Sequence, residues 1–306
     1  MKKSVIILLA SGALAVGYVA MQSHVNQLVD DKLQTQFALA AGDSGLQFDY
    51  ADASANVFNG NIVVNGLTVA DPEGVAAFSI DEIVLIGYEE DKISEFTQIN
   101  VQGFTLSDAI KADNIDAPKA LLDAHYNFGT SLAYDAQTGY SRLKMDLVAQ
   151  GLTGLNFDME LNNSTPLMEV SFEMQKAQDA STLTVEEQLQ MQTKIVEAMQ
   201  QLAPKSLQLN VENKGKLAQL LDEQLAVAGL DQASFENMLQ MQLAQAPLPQ
   251  AAKEGVMAFA QGKEQLSLSV SLPENMDIES LSQQAMMLAG QPEELAKLLN
   301  LEVQGK

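Results

Sequence analysis

The stretch YNFGTSLAYDAQTGYSRLKMDLVAQGLTGLNFDMEL, Tyr126–Leu161, decides the fold. Read in steps of two, it places Tyr126, Phe128, Leu132 and Tyr134 on one side and Asn127, Gly129, Ser131 and Asp135 on the other. After a turn at Asp135–Gly139, Leu143, Met145 and Leu147 alternate with Arg142, Lys144 and Asp146, and then Leu155, Phe157, Met159 and Leu161 alternate with Asn156, Asp158 and Glu160. Period two is the period of a strand, and clean alternation is that of an antiparallel sheet with one apolar and one wet face. Met168, Val170, Phe172 and Met174 against Glu169, Ser171 and Glu173 extend the pattern, so a further strand is predicted there.

Upstream, Leu46–Val57, Asn61–Ala70, Ala76–Gly87 and Thr97–Leu106 also read as strands, parted by Asn59-Gly60, Asp71-Pro72-Glu73-Gly74 and Glu89-Glu90-Asp91-Lys92. Their alternation is imperfect. Ile62, Val63 and Val64 run together, and Ala76–Gly87 puts Phe78, Ile80, Val84 and Ile86 on one face with Ile83 and Leu85 on the other, which implies apolar surroundings on both sides.

Downstream of Ser181 the composition turns to Gln, Leu, Met and Ala. Thr184 and Glu187 form a capping box for a helix that Pro204 follows. Leu207-Leu209-Val211 reads as a strand, with helices predicted at about 215–228, 232–245, 248–261, 277–289 and 292–299. Leu266, Leu268, Val270 and Leu272 alternate with serines, and Leu299–Val303 closes the chain. The expected class is α+β: a large antiparallel sheet, open to curvature into a groove, with helices mainly from the second half on its apolar face. The expected organisation is an anchor at 1–21, an amphipathic neck helix at 22–41, a β-rich domain at 42–180 and a helix-rich α+β region at 181–306 that packs on or continues the sheet.

The anchor follows from Lys2-Lys3 ahead of Ser4–Met21, which carries no charged side chain and as a helix would reach about 27 Å. The basic end stays cytoplasmic, so residues after about 22 face the periplasm, with the chain single-pass in the inner membrane. Ala13-Leu14-Ala15 offers a signal-cleavage site, but the apolar run continues through Val16, Tyr18, Val19 and Met21, which favours a retained anchor. Val25, Leu28, Val29, Leu33 and Phe37 then give the neck its helical stripe.

With 40 acidic against 17 basic residues and a net charge of −23, the chain repels phosphate backbones; nucleic-acid and nucleotide partners are excluded, the latter also by the lack of any glycine-rich phosphate loop. Zero cysteine removes disulfides, thiolate metal sites and thiol nucleophiles. Of the two histidines, His24 lies in the stalk and His125 has no serine elbow to serve, so no catalytic, metal or cofactor residue is expected and the chain reads as a non-enzyme. The 14 methionines give the core an adaptable character and suit surfaces that accept acyl chains or partner helices.

Val57–Val75 (VFNGNIVVNGLTVADPEGV), Phe78–Leu85 (FSIDEIVL) and Ile99–Leu106 (INVQGFTL), behind a basic anchor, resemble the N-terminal strands of AsmA-like and YdgA-type envelope proteins of Gram-negative bacteria. The resemblance covers roughly residues 1–110. It implies an inner-membrane anchor, a periplasmic apolar β-groove and a part in envelope homeostasis through phospholipid handling; the family supplies no catalytic residue, and at 306 residues the chain is too short to bridge two membranes. The expected function is therefore binding of a lipid acyl chain or an envelope protein, with Ile62, Val64, Phe78, Ile80, Val84 and Ile86 as the apolar ligand-binding residues. A closed structural or protein-binding accessory is the alternative, and a carboxylate-based periplasmic hydrolase the third.

Overall fold

The computed structural model describes residues 45–55, 61–87, 89, 92–115, 117–179, 185–246, 248–273, 276–288 and 290–306. The anchor, the neck helix and Thr184 of the capping box lie outside these. Among the described residues, no helix is long and apolar enough to cross a membrane.

Among the described residues, eleven strands form one open antiparallel sheet. They are β1 (Gln47–Asp49), β2 (Asp52–Ala55), β3 (Ile62–Ala70), β4 (Ala76–Ile86), β5 (Phe96–Leu106), β6 (Tyr126–Asp135), β7 (Tyr140–Ala149), β8 (Thr153–Asn162), β9 (Ala203–Asn213), β10 (Gln265–Ser271) and β11 (Glu302–Gly305). From β3 onward each strand pairs with the next in the chain, while β1 and β2 share the outer edge of β3. The helices are excursions between neighbours. α1 (Asp108–Asp113) and α2 (Lys119–Leu122) join β5 to β6, α3 (Thr165–Asp179) and α4 (Val185–Gln200) join β8 to β9, α5 (Leu217–Val227), α6 (Gln232–Gln245) and α7 (Gln250–Ala260) join β9 to β10, and α8 (Ile278–Met287) and α9 (Pro292–Leu298) join β10 to β11.

The imperfect alternation of the early strands has one cause. The buried positions are Ile62 and Val64, then Leu67 and Val69 in β3; Ile80, then Ile83 and Leu85 in β4; and Ile99 and Val101, then Phe104 and Leu106 in β5. Each strand changes parity once, and all three change at one level, where Gly66 (φ 64°), Asp81 and Gly103 (φ 68°) meet. An extra residue in a strand reverses its faces. Because neighbouring strands each carry one at the same level, their pairing stays in register from Ile62↔Leu85 to Val69↔Phe78. The insertion ends at β6, where two residues of β5 face one and the register shifts between Val101 and Phe104; the N–H of Gly103 donates to Asn127 Oδ1 at 3.0 Å. On the outer side, the break between β1 and β2 falls at the same level, with Ala51 N–H bonded to Asn65 O.

This overturns the expected face assignment. Phe78, Ile80, Ile83 and Leu85 share the core side, whereas Val84 and Ile86, partnered with Val63 and Gln98, lie on the opposite face. A second expectation also fails: Met168–Met174 is not a strand but part of α3. β8 is already paired on both sides, by β7 and β9, so no edge remains for it. Asn163 at φ 55° turns the chain, Pro166 sits in the first helical turn where its missing N–H costs nothing, and Glu169, Glu173 and Lys176 form an exposed i, i+4, i+7 stripe.

The insertion level yields a test. At Gly103 the backbone is left-handed and a Cβ would occupy the space of the Asp81 carboxylate, whereas at Gly151 (φ 74°) a Cβ meets nothing. Gly103→Ala is expected to lower stability in urea by about 3 kcal/mol and Gly151→Ala by only about 1, with Asp81→Gly recovering part of the first loss. Equal costs at both glycines would contradict the steric account.

Candidate functional site

Four of the six expected ligand-binding residues sit together. Ile62, Val64 and Ile80 are 4, 2 and 1 % exposed in one cluster with Leu67, Val69 and Leu85, and Phe78 packs beside them with its ring 5.2 Å from that of Phe104. Val84 and Ile86 face the other way. The four are side by side, but their own neighbours already fill the space around them.

The apolar face is different beyond β5. Strand pairing aligns its side chains into three rows: Phe128, Leu147, Leu155, Val211 and Leu266; Thr130, Met145, Phe157, Leu209, Leu268 and Val303; Leu132, Leu143, Met159, Leu207 and Val270. The opposite face of the same strands carries Lys144, Asp146, Asn156, Asp158, Gln208, Asn210, Ser267 and Ser269. None of the apolar side chains on β6–β9 in these rows is fully buried, and Leu147 is 40 % exposed. Among the described residues, helix-on-sheet packing is concentrated elsewhere, with α7 on β10 and β11 and α1 on β4. Gly255 of α7 is what lets that helix approach: a Cβ there would stand 2.8 Å from Val303 Cγ1 and 3.6 Å from Leu266 Cδ1.

The uncovered part is therefore a basin with walls. On the β5 side Val101 and Phe104 continue the same face but are buried in the cluster against which Ile110 and Leu122 pack, and α7 closes the β10 side. At one end α2 lies over β6 and β7, where Leu121 and Ala120 pack on the buried Ala149 and Leu152 and Tyr126 Oη donates to Leu121 O at 2.6 Å. At the other end the chain leaving β8 folds back. Ser164 donates from both N–H and Oγ to Gly139 O, and the buried Tyr134 donates from Oη to Thr165 Oγ1 at 3.0 Å. The floor across β6–β9 is about 400 Å² of sheet at 4.8 Å between strands and 3.4 Å per residue, comparable with the largest apolar patches on monomers, which are often functional. It carries no charge and a single hydroxyl, that of Thr130.

A family model described as "Uncharacterized protein" matches residues 146–306. The chain belongs to that family. The matched span holds Leu147, all of β8, β9 and β10, and the helices from α3 to α9, so most of the basin floor falls within it while Ile62–Ile86 fall outside. No curated protein sequence matches the chain.

Beneath the basin, the wet face is fastened by a charge cluster. Arg142, the only arginine in the chain, binds Asp158 in bidentate fashion, with Nε at 2.8 Å from Oδ1 and Nη2 at 2.5 Å from Oδ2, and its Nη1 lies 3.8 Å from Glu160. Lys205 of β9 reaches Glu160 at 3.1 Å, tying β7, β8 and β9 together. The hydrogen bond from Arg142 holds the Asp158 carboxyl below its ordinary range, and that from Lys205 does the same for Glu160; the guanidinium is raised in turn by Asp158, and burial raises the Tyr140 phenol. These groups saturate one another, which suits bracing. Sequence alternation placed Arg142, Asp158 and Glu160 on one face; nothing in the sequence specified that they pair.

Depressed carboxyl values stabilise the fold above the unfolded pKa near 4, and that contribution is lost as pH falls through the folded values below it. Asp158→Asn is therefore expected to cost about 1 kcal/mol at pH 7 and to flatten the fall in stability between about pH 4 and pH 2. Urea titrations across that range test it; an unchanged acid slope would remove Asp158 from the account.

Proposed function

We propose that this chain is a single-pass envelope protein, anchored in the inner membrane by its N-terminal segment, whose periplasmic sheet holds a lipid acyl chain in the basin over β6–β9. The observation that carries this reading is an apolar, walled and uncovered sheet face in a chain whose surface is otherwise acidic. Water against that face costs about 25 cal/mol per Å², so an apolar occupant is favoured there. Met145 and Met159 in the floor adapt to a flexible chain better than branched side chains do. The charge asymmetry around Ser4–Met21 supports the anchor and its orientation, and the resemblance of Val57–Leu106 to AsmA-like and YdgA-type proteins supports an envelope role.

In this reading Ile62, Val64, Phe78 and Ile80 are the dry core that seals one side of the sheet, and the ligand lies further along, on Met145, Leu147, Leu155, Phe157, Met159 and Leu209. The groove expected of the sheet is, in this reading, the basin over β6–β9, with α7 at its β10 edge. No catalytic group takes part: the face offers only contact.

Native mass spectrometry of the full-length chain, extracted from a Gram-negative inner membrane, tests the reading. A bound lipid mass is expected that organic solvent removes. Phe157→Glu, which sets a charge on the floor, is expected to lower its occupancy by about tenfold or more, while Gln208→Glu on the wet face leaves it unchanged. A lipid-free mass in conditions that preserve a known lipid complex, or equal occupancy in both variants, would overturn it.

A further inference from the structure

We infer that Tyr134, braced by Thr165, is the stop that sets the longest acyl chain the basin accepts; this rests on the acyl-binding reading above. The walls narrow the choice of occupant first. A second copy laid face to face would bury about 400 Å² per chain, roughly 800 Å² in total, short of the 1,200 Å² or more of stable interfaces. Its charge of −23 opposes that approach, and α2, α7 and the Ser164–Thr165 segment stand above the floor and keep a flat surface away from it. A thin, uncharged, flexible chain meets none of these obstacles.

Within the basin such a chain lies along the strands. Across them its way is blocked by the β5 core on one side and by α7 on the other. It enters from above at the row of Leu147, the most exposed apolar side chain of the floor, beside the α2 end. From there Leu147, Met145 and Leu143 in β7 lead to Ser141, paired with Tyr134 and only 2 % exposed. Tyr134 is 5 % exposed, its ring held by the hydrogen bond to Thr165, and Gly139 is the position that lets Thr165 descend: a Cβ there would stand 3.1 Å from Thr165 Oγ1. The six residue steps from Leu147 to Ser141 span about 20 Å, which an extended chain of roughly 16 carbons fills at bond lengths near 1.5 Å. Each methylene up to that length gains burial; further ones gain none.

The test is a competition series in which saturated fatty acids from about 8 to 20 carbons displace a fluorescent fatty acid from the full-length chain held in amphipol. The inhibition constant is expected to fall with each added carbon and then level off near 16. Tyr134→Ala should move the levelling point to chains about four carbons longer, Tyr134→Phe should leave it in place because the ring does the blocking, and Leu132→Trp should move it shorter. Leu132 is half-exposed, so that variant informs even where Tyr134→Ala fails to fold. The same levelling point in every folded variant would overturn the stop. Failure of all fatty acids to compete with the unsubstituted chain would instead remove the acyl-binding reading, and the stop with it.

Discussion

An antiparallel sheet with one apolar face must set that face against something, and here the sheet outruns its cover. The strands β1–β5 solve the problem among themselves and with α1 and α2, reaching near-complete burial. β10 and β11 solve it with α7, admitted by a glycine at the contact. Between them β6–β9 keep the same amphipathic pattern, with α2 over one end of β6 and β7 and the main helix-on-sheet packing of the described residues lying elsewhere. The basin is the remainder of that unequal distribution, and its charge-free floor, its walls and its candidate ligand follow from it.

The inserted level at Gly66, Asp81 and Gly103 marks where the two regimes meet. A single bulge would have thrown one strand out of register with its neighbours. Matching insertions preserve the pairing and reverse the faces of the whole group, and the mismatch is discharged once, at Asn127 opposite Gly103. The apolar positions of the β5-side core and those of the basin therefore belong to one continuous face, although in β3, β4 and β5 they follow two different parities.

That geometry explains what the sequence could and could not disclose. The alternation of Tyr126–Leu161 placed β6, β7 and β8 and assigned their faces, because nothing interrupts period two there. In β4 the parity change after Ile80 looked like a strand buried on both faces, since an inserted residue and a two-sided strand leave the same trace in one sequence. At Met168–Met174 a seven-residue alternation also suited a helix with a Glu169, Glu173 and Lys176 stripe, and only the pairing of β8 with β9 decided between them. α1 passed unread although Ser107 ahead of Asp108 is a capping signal, borne out by the bond from Ile110 N–H to Ser107 Oγ. The candidate site shifted for a related reason: two-sided apolarity pointed to β3 and β4, whereas the uncovered residues lie on strands whose clean pattern reads as an ordinary core face. Lack of cover is a property of helix placement, which alternation within a strand does not encode.

The β6–β9 face is open while the β3–β5 face is sealed, and the absence of cysteine from the chain makes the difference directly measurable. Single thiols introduced by Met145→Cys and Ile83→Cys into the delipidated full-length chain can be timed against a small water-soluble thiol reagent. Rapid modification is expected at position 145, slowed by added fatty acid, and modification at position 83 only on unfolding. Equal protection at the two positions, in a chain that melts normally, would contradict it.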